Sequence, residues 1–350
     1  MSKAEKIKKF DPNGLGDKNA NIFGLPFSIE EAEVVIIPVP WEVTVSYSAG
    51  TAQGPQAIFD ASFQVDLFDP EIADAWKTGI AMDIIPAAIE KTSNALRKKA
   101  EKYINLLEKG ETIQSHKGMK KTQAKIHSAC LQMNKWVKAR ALHFLNRNKV
   151  VGLLGGDHST PLGMMQALAE KHKAFGVLQI DAHADLRDAY EGFEFSHASI
   201  MFNALKIPQI KKLVQVGIRD FCEAEAELVK KSKGRIKCFY DRDIKHKQYN
   251  GSTWASICRE IVVSLPEKIY LSFDIDGLDP KLCPNTGTPV AGGFETEQVL
   301  FLIQQIVESG RSIIGFDINE VAPGKNEWDA NVGARLLYRI ANLAAHSNGK

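Results

Sequence analysis

Eight short runs of apolar, mostly β-branched residues recur along the chain, and stretches with helical periodicity separate most of them. The runs are 33–39, 78–84, 149–155, 175–181, 211–218, 235–240, 267–276 and 311–318. Several are apolar without alternation, which is typical of parallel strands that are covered on both faces. Helical patterns at 161–172, 253–265 and 295–309 lie between the later runs. This order predicts a three-layer α/β fold with a mainly parallel eight-stranded sheet and helices on both faces.

Length and composition narrow the class of protein. At about 150 residues per domain, 350 residues predict two domains or one large α/β domain. Hydrophobic residues make up 44% and charged residues 25%, which excludes a disordered or fibrous chain. The five cysteines form no CxxC pair, and their odd number argues against a disulfide framework. Because no apolar run approaches the roughly 18 residues of a membrane span, and no apolar stretch typical of a secretory signal follows the charged N-terminus, we expect a cytoplasmic protein without membrane contact.

Residues 97–149 are unusually basic. They contain 14 Lys or Arg against three acids, Glu101, Glu108 and Glu111, although the whole chain has a net charge of only +2. Apolar residues recur there at helical spacing and predict two helices, around 92–109 and 119–147. One interpretation is a solvated helical layer whose apolar side packs on the sheet, and the other is a nucleic-acid surface. We favour the first and expect no nucleic-acid partner, because aromatic residues are sparse and no nucleic-acid motif accompanies the charge.

Three polar segments begin where predicted strands end. They are GGDHS at 155–159, DAHAD at 181–185 and DIDGLDP at 274–280. Side chains two residues apart in an extended chain project from one face, so Asp181, His183 and Asp185 should point together, as should Asp274 and Asp276. Open α/β sheets bind their ligands at the carboxyl ends of the strands. We therefore expect the three segments to converge in one cleft.

Each segment taken singly has an ordinary explanation, since Gly-Gly-Asp-His can form a turn with a helix cap and Asp-Xaa-Asp often forms an Asx turn. The coincidence of three at three strand ends favours a metal centre instead. Two histidines and four aspartates need neutralisation at short range, because like charges raise carboxyl pKa values steeply. Two divalent cations would balance four carboxylates. Oxygen-rich coordination with one imidazole per ion favours manganese over a thiolate-type zinc site.

With these motifs, the chain resembles the ureohydrolase family, which includes arginases and agmatinases, and is most similar to its agmatinase-like members. The matching stretches are PWEVTVSYSAGTAQGPQAI (40–58), GGDHS (155–159), DAHADLRDAYEGFEFSHAS (181–199), SFDIDGLDP (272–280), PNTGTPVAGG (284–293) and DINEVAP (317–323). The resemblance spans roughly residues 33–345. It implies an arginase-like fold, with one domain over residues 1–350 and a Lys-rich helical insertion around 86–130 that has no assigned role.

The resemblance also implies a ligand set for two Mn²⁺ ions, with nickel or another divalent ion as an alternative. One ion would be bound by His158, Asp181, Asp185 and Asp274. The other would be bound by Asp181, His183, Asp274 and Asp276. Asp181 and Asp274 would therefore bridge the two ions.

Two further residues gain roles from the same resemblance. Glu320 maps onto the family's guanidinium-binding acid, and His197 onto its proton-shuttling histidine. Both roles suit the chemistry, because a guanidinium carbon is a poor electrophile. Its hydrolysis needs a strong nucleophile, an acid that holds the cation, and a proton for the departing amine. The resemblance further implies a homo-oligomer, either a trimer or a hexamer.

The expected activity is manganese-dependent hydrolysis of a small guanidino compound to urea and an amine, with agmatine to putrescine as the first choice. Arginase, guanidinobutyrase and guanidinase activities are the alternatives. The segment after DAHAD lacks the Asn-Xaa-Pro…Ser-Gly-Asn pattern with which arginases hold the amino and carboxylate groups. Arg187 is the obvious cation of this loop, and we expect it to face outward or to pair with Asp188 or Glu191. A non-catalytic nucleic-acid-binding protein is the alternative of another class, and the intact six-ligand set argues against it.

Overall fold

The computed structural model describes residues 1–112 and 116–350, and one eight-stranded sheet runs through them. Its strands are β1 Val34–Val39, β2 Ile80–Met82, β3 Val150–Gly155, β4 Phe175–Ile180, β5 Ile210–Ile218, β6 Ile236–Tyr240, β7 Lys268–Asp274 and β8 Ser312–Asn319. Their spatial order is β2-β1-β3-β8-β7-β4-β5-β6. All neighbouring pairs are parallel. The predicted eight parallel strands are thus confirmed.

Helices surround this sheet. They are α1 Lys3–Lys9, α2 Gly54–Ser62, α3 Ala87–Glu108, α4 Lys117–Leu145, α5 Leu162–Lys171, α6 Ile200–Ala204, α7 Glu223–Lys231, α8 Asp241–Tyr249, α9 Trp254–Val263, α10 Thr296–Glu308 and α11 Trp328–Ser347. Within the described ranges, no helix combines the length and the apolar character that crossing a bilayer requires.

The strands are continuously apolar because both faces of the sheet are covered. Val34 and Ile36 of β1 belong to one buried core, which α2, α9, α10 and α11 complete. Val35 and Ile37 point to the opposite face and belong to a second core, which α3, α4, α5 and α6 complete. Alternation of side chains along a strand therefore supplies two cores rather than one core and one solvated face.

The basic window forms two helices, as predicted, and they pack on the second face. We call α3 and α4 the basic helix pair. Its apolar side, which includes Tyr103, Met133 and Phe144, is buried in the second core. Helix α3 begins at Ala87, five residues earlier than expected, because Pro86 occupies its N-cap position. Proline suits the start of a helix, where its missing N–H has no intrahelical partner to lose.

The four central strands, β3, β8, β7 and β4, deliver the predicted site residues. Because all four are parallel, their carboxyl ends lie at the same edge of the sheet. His158 follows β3, Glu320 follows β8, Asp274 ends β7, and Asp181 follows β4. The order of the strands in space, which differs from their order in the chain, brings these four residues together.

Candidate metal centre and catalytic cleft

His158 lies at the centre of the first group of predicted ligands. Its Nδ1 is 3.0 Å from Asp181 Oδ2, 3.0 Å from Asp185 Oδ2 and 3.3 Å from Asp274 Oδ2. All four side chains are buried. His158, Asp181 and Asp185 can each turn one ligand atom toward a common ion. The structure therefore brings together all four residues predicted for one ion.

A second group forms around His183 and shares Asp181 with the first. His183 Nδ1 is 2.9 Å from Asp276 Oδ2 and 3.7 Å from Asp181 Oδ1. Asp181, His183 and Asp276 also have the geometry to hold an ion. Asp274 Oδ1 accepts a hydrogen bond from Asp276 N at 2.9 Å, which turns the two neighbouring carboxylates toward the same space. Shared Asp181 makes the pair of groups one continuous cluster.

The cluster is electrostatically unbalanced without added positive charge. Burial, and then Asp276 and Asp181, raise the pKa of Asp274 well above its usual range. Burial and the charge of Asp181 raise the pKa of Asp185 to about 7. Burial opposes protonation of His158, yet the surrounding carboxylates raise the pKa of this imidazole well above its ordinary value. The clustered carboxylates thus favour bound positive charge at this site.

The orientation of His158 suits a metal ligand. Its Nδ1 is buried and makes no hydrogen bond of good geometry within the described residues, although three carboxylate oxygens surround it. Its Nε2 lies 2.9 Å from Ser272 Oγ on β7. Metal-binding histidines characteristically use one ring nitrogen for the ion and the other for a protein partner. The donor set and this unpartnered nitrogen therefore fit a pair of divalent ions.

Glu320 is placed directly beside the cluster. Its Oε1 accepts a hydrogen bond from His158 N at 2.8 Å, and its own N–H donates to Gly156 O at 2.8 Å. Thr286 Oγ1 donates to the Glu320 carbonyl at 2.8 Å. Its backbone has a φ of 63°, a left-handed conformation that costs about 1–3 kcal/mol for a non-glycine residue. Burial and the charge of Asp157 raise the pKa of Glu320 well above its usual range.

His197 lines the same cleft, at the start of the short turn His197–Ser199. Its backbone N–H donates to Thr44 Oγ1 at 3.3 Å, and its Nδ1 lies 3.3 Å from Ser196 Oγ. Burial, and then the nearby histidines of the cluster, lower the pKa of His197 to about 3. Burial therefore favours the neutral form of this imidazole near pH 7.

Arg187 also lines the cleft, and its environment differs from the expectation. Its Nε lies 3.4 Å from Glu225 Oε2, and its guanidinium lies 5.2 Å from the centre of the Tyr190 ring. The prediction that Arg187 pairs with Asp188 or Glu191 was wrong. Glu225 replaces them because it caps α7 and also accepts from Leu186 N at 3.0 Å, which places its carboxylate under Arg187.

The basic helix pair supports the loop that forms the wall of the cleft. Ala189 and Glu191 both have left-handed backbones, with φ of 51° and 52°, so this loop needs support from outside. Gln123 Nε2 of α4 donates to Gly192 O at 2.5 Å. The ring of Tyr103 of α3 packs 4.9 Å from that of Phe193. The predicted insertion therefore contacts the site, which its composition did not indicate.

Sequence reasoning also missed a set of polar residues beneath the cluster, on otherwise apolar strands. The set comprises Gln179, Gln215, Ser272 and Asp317. Three of them stand two positions before Asp181, Asp274 and Asn319, so the period of two along a strand could have found them.

Relatives with named activities match most of the chain. An N(1)-aminopropylagmatine ureohydrolase of Thermus thermophilus is 30% identical over 314 residues, which cover 90% of this chain and 91% of that protein. An agmatinase of Bacillus anthracis is 26% identical over 299 residues, which cover 85% of this chain and 86% of that protein.

Solved structures show the same fold. The agmatine ureohydrolase of Thermoplasma volcanium superposes with a TM-score of 0.71 at 21% identity, covering 99% of both chains. The arginase of Bacillus subtilis superposes with a TM-score of 0.63 at 19% identity, covering 88% of this chain and 98% of that one. The arginase-like fold predicted from the motifs is thus confirmed.

A family model agrees with both comparisons and spans the sheet and the whole cluster. The model described as the arginase family matches residues 32–342. The chain therefore belongs to the arginase family.

Proposed function

We propose that this protein hydrolyses a small guanidino compound to urea and an amine at a centre of two Mn²⁺ ions. The observation that carries the proposal is the pair of His–Asp groups that share Asp181, at the carboxyl ends of the central strands β3, β7 and β4. One ion would be held by His158, Asp181, Asp185 and Asp274. The other would be held by Asp181, His183, Asp274 and Asp276.

The choice of metal follows from the donor set. Each position offers one imidazole and several carboxylate oxygens, which suits manganese, with nickel as the alternative. Bound divalent ions lower the pKa of water and so supply a nucleophile near neutral pH.

Glu320 would bind the guanidinium group. A charged fork of N–H donors is best matched by a carboxylate. The backbone contacts of Glu320 with Gly156 and Thr286 hold it against the cluster, so a bound guanidinium carbon would lie close to the metal ligands. This contact is common to all guanidino substrates and does not select among them.

His197 would carry the proton that the departing amine needs. The carbon–nitrogen bond breaks toward the amine, and a neutral leaving amine requires one added proton. A neutral imidazole in the cleft can take a proton released from water and donate it to that nitrogen.

Agmatine is the substrate that we favour. Arg187 lines the cleft and is already paired with Glu225, so it is less able to hold a substrate carboxylate. Burying an unpaired carboxylate costs several kcal/mol, which disfavours arginine. The agmatinase relative supports this choice. Arginase, guanidinobutyrase and guanidinase activities are the alternatives.

N(1)-aminopropylagmatine is a second candidate substrate. The Thermus thermophilus relative, whose name carries this compound, matches 90% of the chain at 30% identity. Both candidates have a guanidinium group at one end and no carboxylate at the other. They differ in length and in the number of ammonium groups.

We further infer that residues 1–350 form one catalytic domain that includes the Lys-rich insertion around 86–130. Both cores lie on the two faces of a single sheet, and the basic helix pair packs on one of these faces. A trimeric or hexameric assembly, a cytoplasmic location, and the absence of nucleic-acid and membrane partners stay predictions.

The test is urea release by the full-length protein from agmatine, N(1)-aminopropylagmatine, arginine, guanidinobutyrate and guanidine. Manganese-loaded, nickel-loaded and chelator-treated protein would be compared. We expect chelation to abolish the activity and added Mn²⁺ to restore it. Absence of urea from every compound with metal-loaded protein, or full activity in protein that elemental analysis shows to be free of transition metal, would contradict the proposal.

A further inference from the structure

A row of polar side chains crosses the sheet one layer beneath the metal ligands. It comprises Gln215 of β5, Gln179 of β4, Ser272 of β7 and Asp317 of β8, and we call it the polar row. Gln215 pairs in register with Gln179, Gln179 with Ser272, and Ser272 with Asp317. All four have an exposed fraction of 0%. Burying polar groups is costly unless they are hydrogen-bonded, so a row across four apolar strands requires an explanation.

One half of the polar row supports His158. Ser272 Oγ lies 2.9 Å from His158 Nε2 and donates to Asp317 Oδ1 at 3.1 Å. Asp317 Oδ1 also accepts from Phe273 N at 3.3 Å, which fixes the carboxylate against β7. The three side chains form a buried chain from β8 through β7 to the imidazole.

These hydrogen-bonded side chains determine which ring nitrogen of His158 is unprotonated and faces the cluster. The Ser272 hydroxyl gives its proton to Asp317, so it offers only a lone pair to His158. His158 Nε2 must therefore carry a proton and donate it. In the neutral imidazole, Nδ1 is then unprotonated, and its lone pair points toward the oxygens of Asp181, Asp185 and Asp274.

The other half of the polar row supports the 181–185 segment. Gln179 Nε2 donates to Asp181 Oδ2 at 2.8 Å and to His183 O at 3.1 Å. Gln215 Nε2 donates to Ala184 O at 2.7 Å and to Gln179 Oε1 at 2.7 Å. The side-chain amides of Gln179 and Gln215 thus fix the carboxylate of Asp181 and the backbone at residues 183–184.

We propose that the polar row is a positioning layer that orients His158 and the 181–185 segment for metal, so that it determines the affinity of the centre for Mn²⁺. The proposal rests on the metal centre of the proposed function. The residues of the polar row act through the ligands and touch neither the ion nor the substrate. Residues in this position elsewhere change metal affinity by about 10–100-fold when removed, because the ligands must then be ordered by the ion itself.

The experiment measures Mn²⁺ binding to metal-free, full-length protein by calorimetry and by competition with a chelator. Ser272→Ala removes the oxygen that accepts from His158 Nε2, and Gln179→Met removes the amide that donates to Asp181 Oδ2 while keeping an unbranched side chain. We expect each to weaken Mn²⁺ binding by about 10–100-fold. Ser62→Ala is the matched control, because Ser62 is a buried serine that accepts from Phe23 N at 2.9 Å, on the other core.

The outcomes separate this proposal from the one on which it rests. If the wild-type protein binds no Mn²⁺, the metal centre itself fails. If the wild type binds two ions and both variants bind them within about threefold of it, the positioning layer is wrong. If Ser62→Ala weakens binding as much as the other two, the effect is general destabilisation and the layer is equally wrong. Thermal unfolding of the metal-free variants verifies that each is folded.

Discussion

The floor of the cleft and its outer wall are held in place differently. The floor consists of carboxylates and imidazoles, all buried except the half-buried His183, at the ends of the four central strands β3, β8, β7 and β4, so the register of the sheet sets their positions. The wall consists of the 187–197 loop, which depends on separate contacts from the basic helix pair, such as Gln123 with Gly192. A change in the floor should therefore remove function outright, whereas a change in the wall should alter substrate binding by degrees.

Asp274→Ala is expected to have the largest effect. Removing a carboxylate shared by both proposed ions should lose at least one ion and lower kcat/KM by at least about 10⁴-fold, since metal activation of water is worth several kcal/mol. Elemental analysis and urea release check this together. Asp243→Ala, an exposed aspartate of α8, is the control. If the variant retains both ions and its activity, Asp274 is not a ligand, and a substitution in the floor does not abolish function as expected.

Metal should stabilise the protein more strongly as the pH rises. Burial is the main cause that raises the pKa of the proposed ligand Asp185 to about 7, so the folded, metal-free protein holds a proton there that the unfolded chain has released above about pH 4. Its free energy of unfolding therefore falls as pH rises through this range. The raised pKa values of His158 and His183 act in the same direction, because their stabilisation is present below the ordinary histidine pKa and is lost as pH rises toward the shifted values.

Calorimetry of metal-free and Mn²⁺-loaded protein checks this pH dependence. Two ions at about 100 times their dissociation constants are worth about 5 kcal/mol, or roughly 5–10 °C in Tm, at about pH 8. At about pH 5.5 the gain should be less than half as large, because protons compete for the ligands. A gain in Tm that does not change with pH would mean that the buried carboxylates and histidines are not the groups that bind the ion.

His197→Ala separates proton transfer from metal binding within the cleft. We expect kcat to fall by about 10²–10⁴-fold while the metal content stays unchanged, because a positioned proton carrier contributes about that much. His143→Ala, an exposed histidine of α4, is the control. Loss of metal in His197→Ala would assign this residue to the floor as a ligand, and full activity would mean that another group delivers the proton.

The floor was largely predictable from the sequence. The apolar runs predicted the eight parallel strands. The motifs predicted the arginase family and the amidinohydrolase class, and both predictions are confirmed. Asp181, His183 and Asp185 come together because alternation along an extended chain requires it. Their roles as ligands, and those of His197 and Glu320, stay predictions.

Two parts of the site could not be predicted for physical reasons. The partner of Arg187 depends on where α7 begins, since Glu225 reaches Arg187 by capping that helix. The contact of Gln123 with Gly192 joins residues 69 positions apart and leaves no local pattern. Gln179 and Ser272 differ from these, because a polar residue in an apolar strand, two positions before a predicted ligand, is a signal that strand periodicity contains.

Substrate choice should depend on the wall, so the preference for one substrate over another should be graded rather than absolute. Agmatine should exceed arginine in kcat/KM by at least about a hundredfold, or about 2.7 kcal/mol, because Arg187 is paired with Glu225 and less able to hold a carboxylate. Glu320→Gln should depress both substrates alike. Arg187→Ala is compared with Arg147→Ala, since Arg147 is an exposed arginine just after the end of α4. If arginine is the better substrate and Arg187→Ala alone destroys that activity, Arg187 holds the carboxylate and the protein is an arginase.

The smallest effect is expected where the basic helix pair meets the loop. Gln123→Ala removes one hydrogen bond to Gly192 O, which is worth about 1 kcal/mol, so KM for agmatine should rise roughly threefold to tenfold. Metal content should stay unchanged and kcat should change little, since the floor does not depend on this contact. Gln132→Ala, an exposed glutamine of the same helix, is the matched control and should leave KM unaltered. A loss of metal in Gln123→Ala would show that floor and wall are coupled, because the strained backbone at Ala189 and Glu191 would then transmit the change to Asp185.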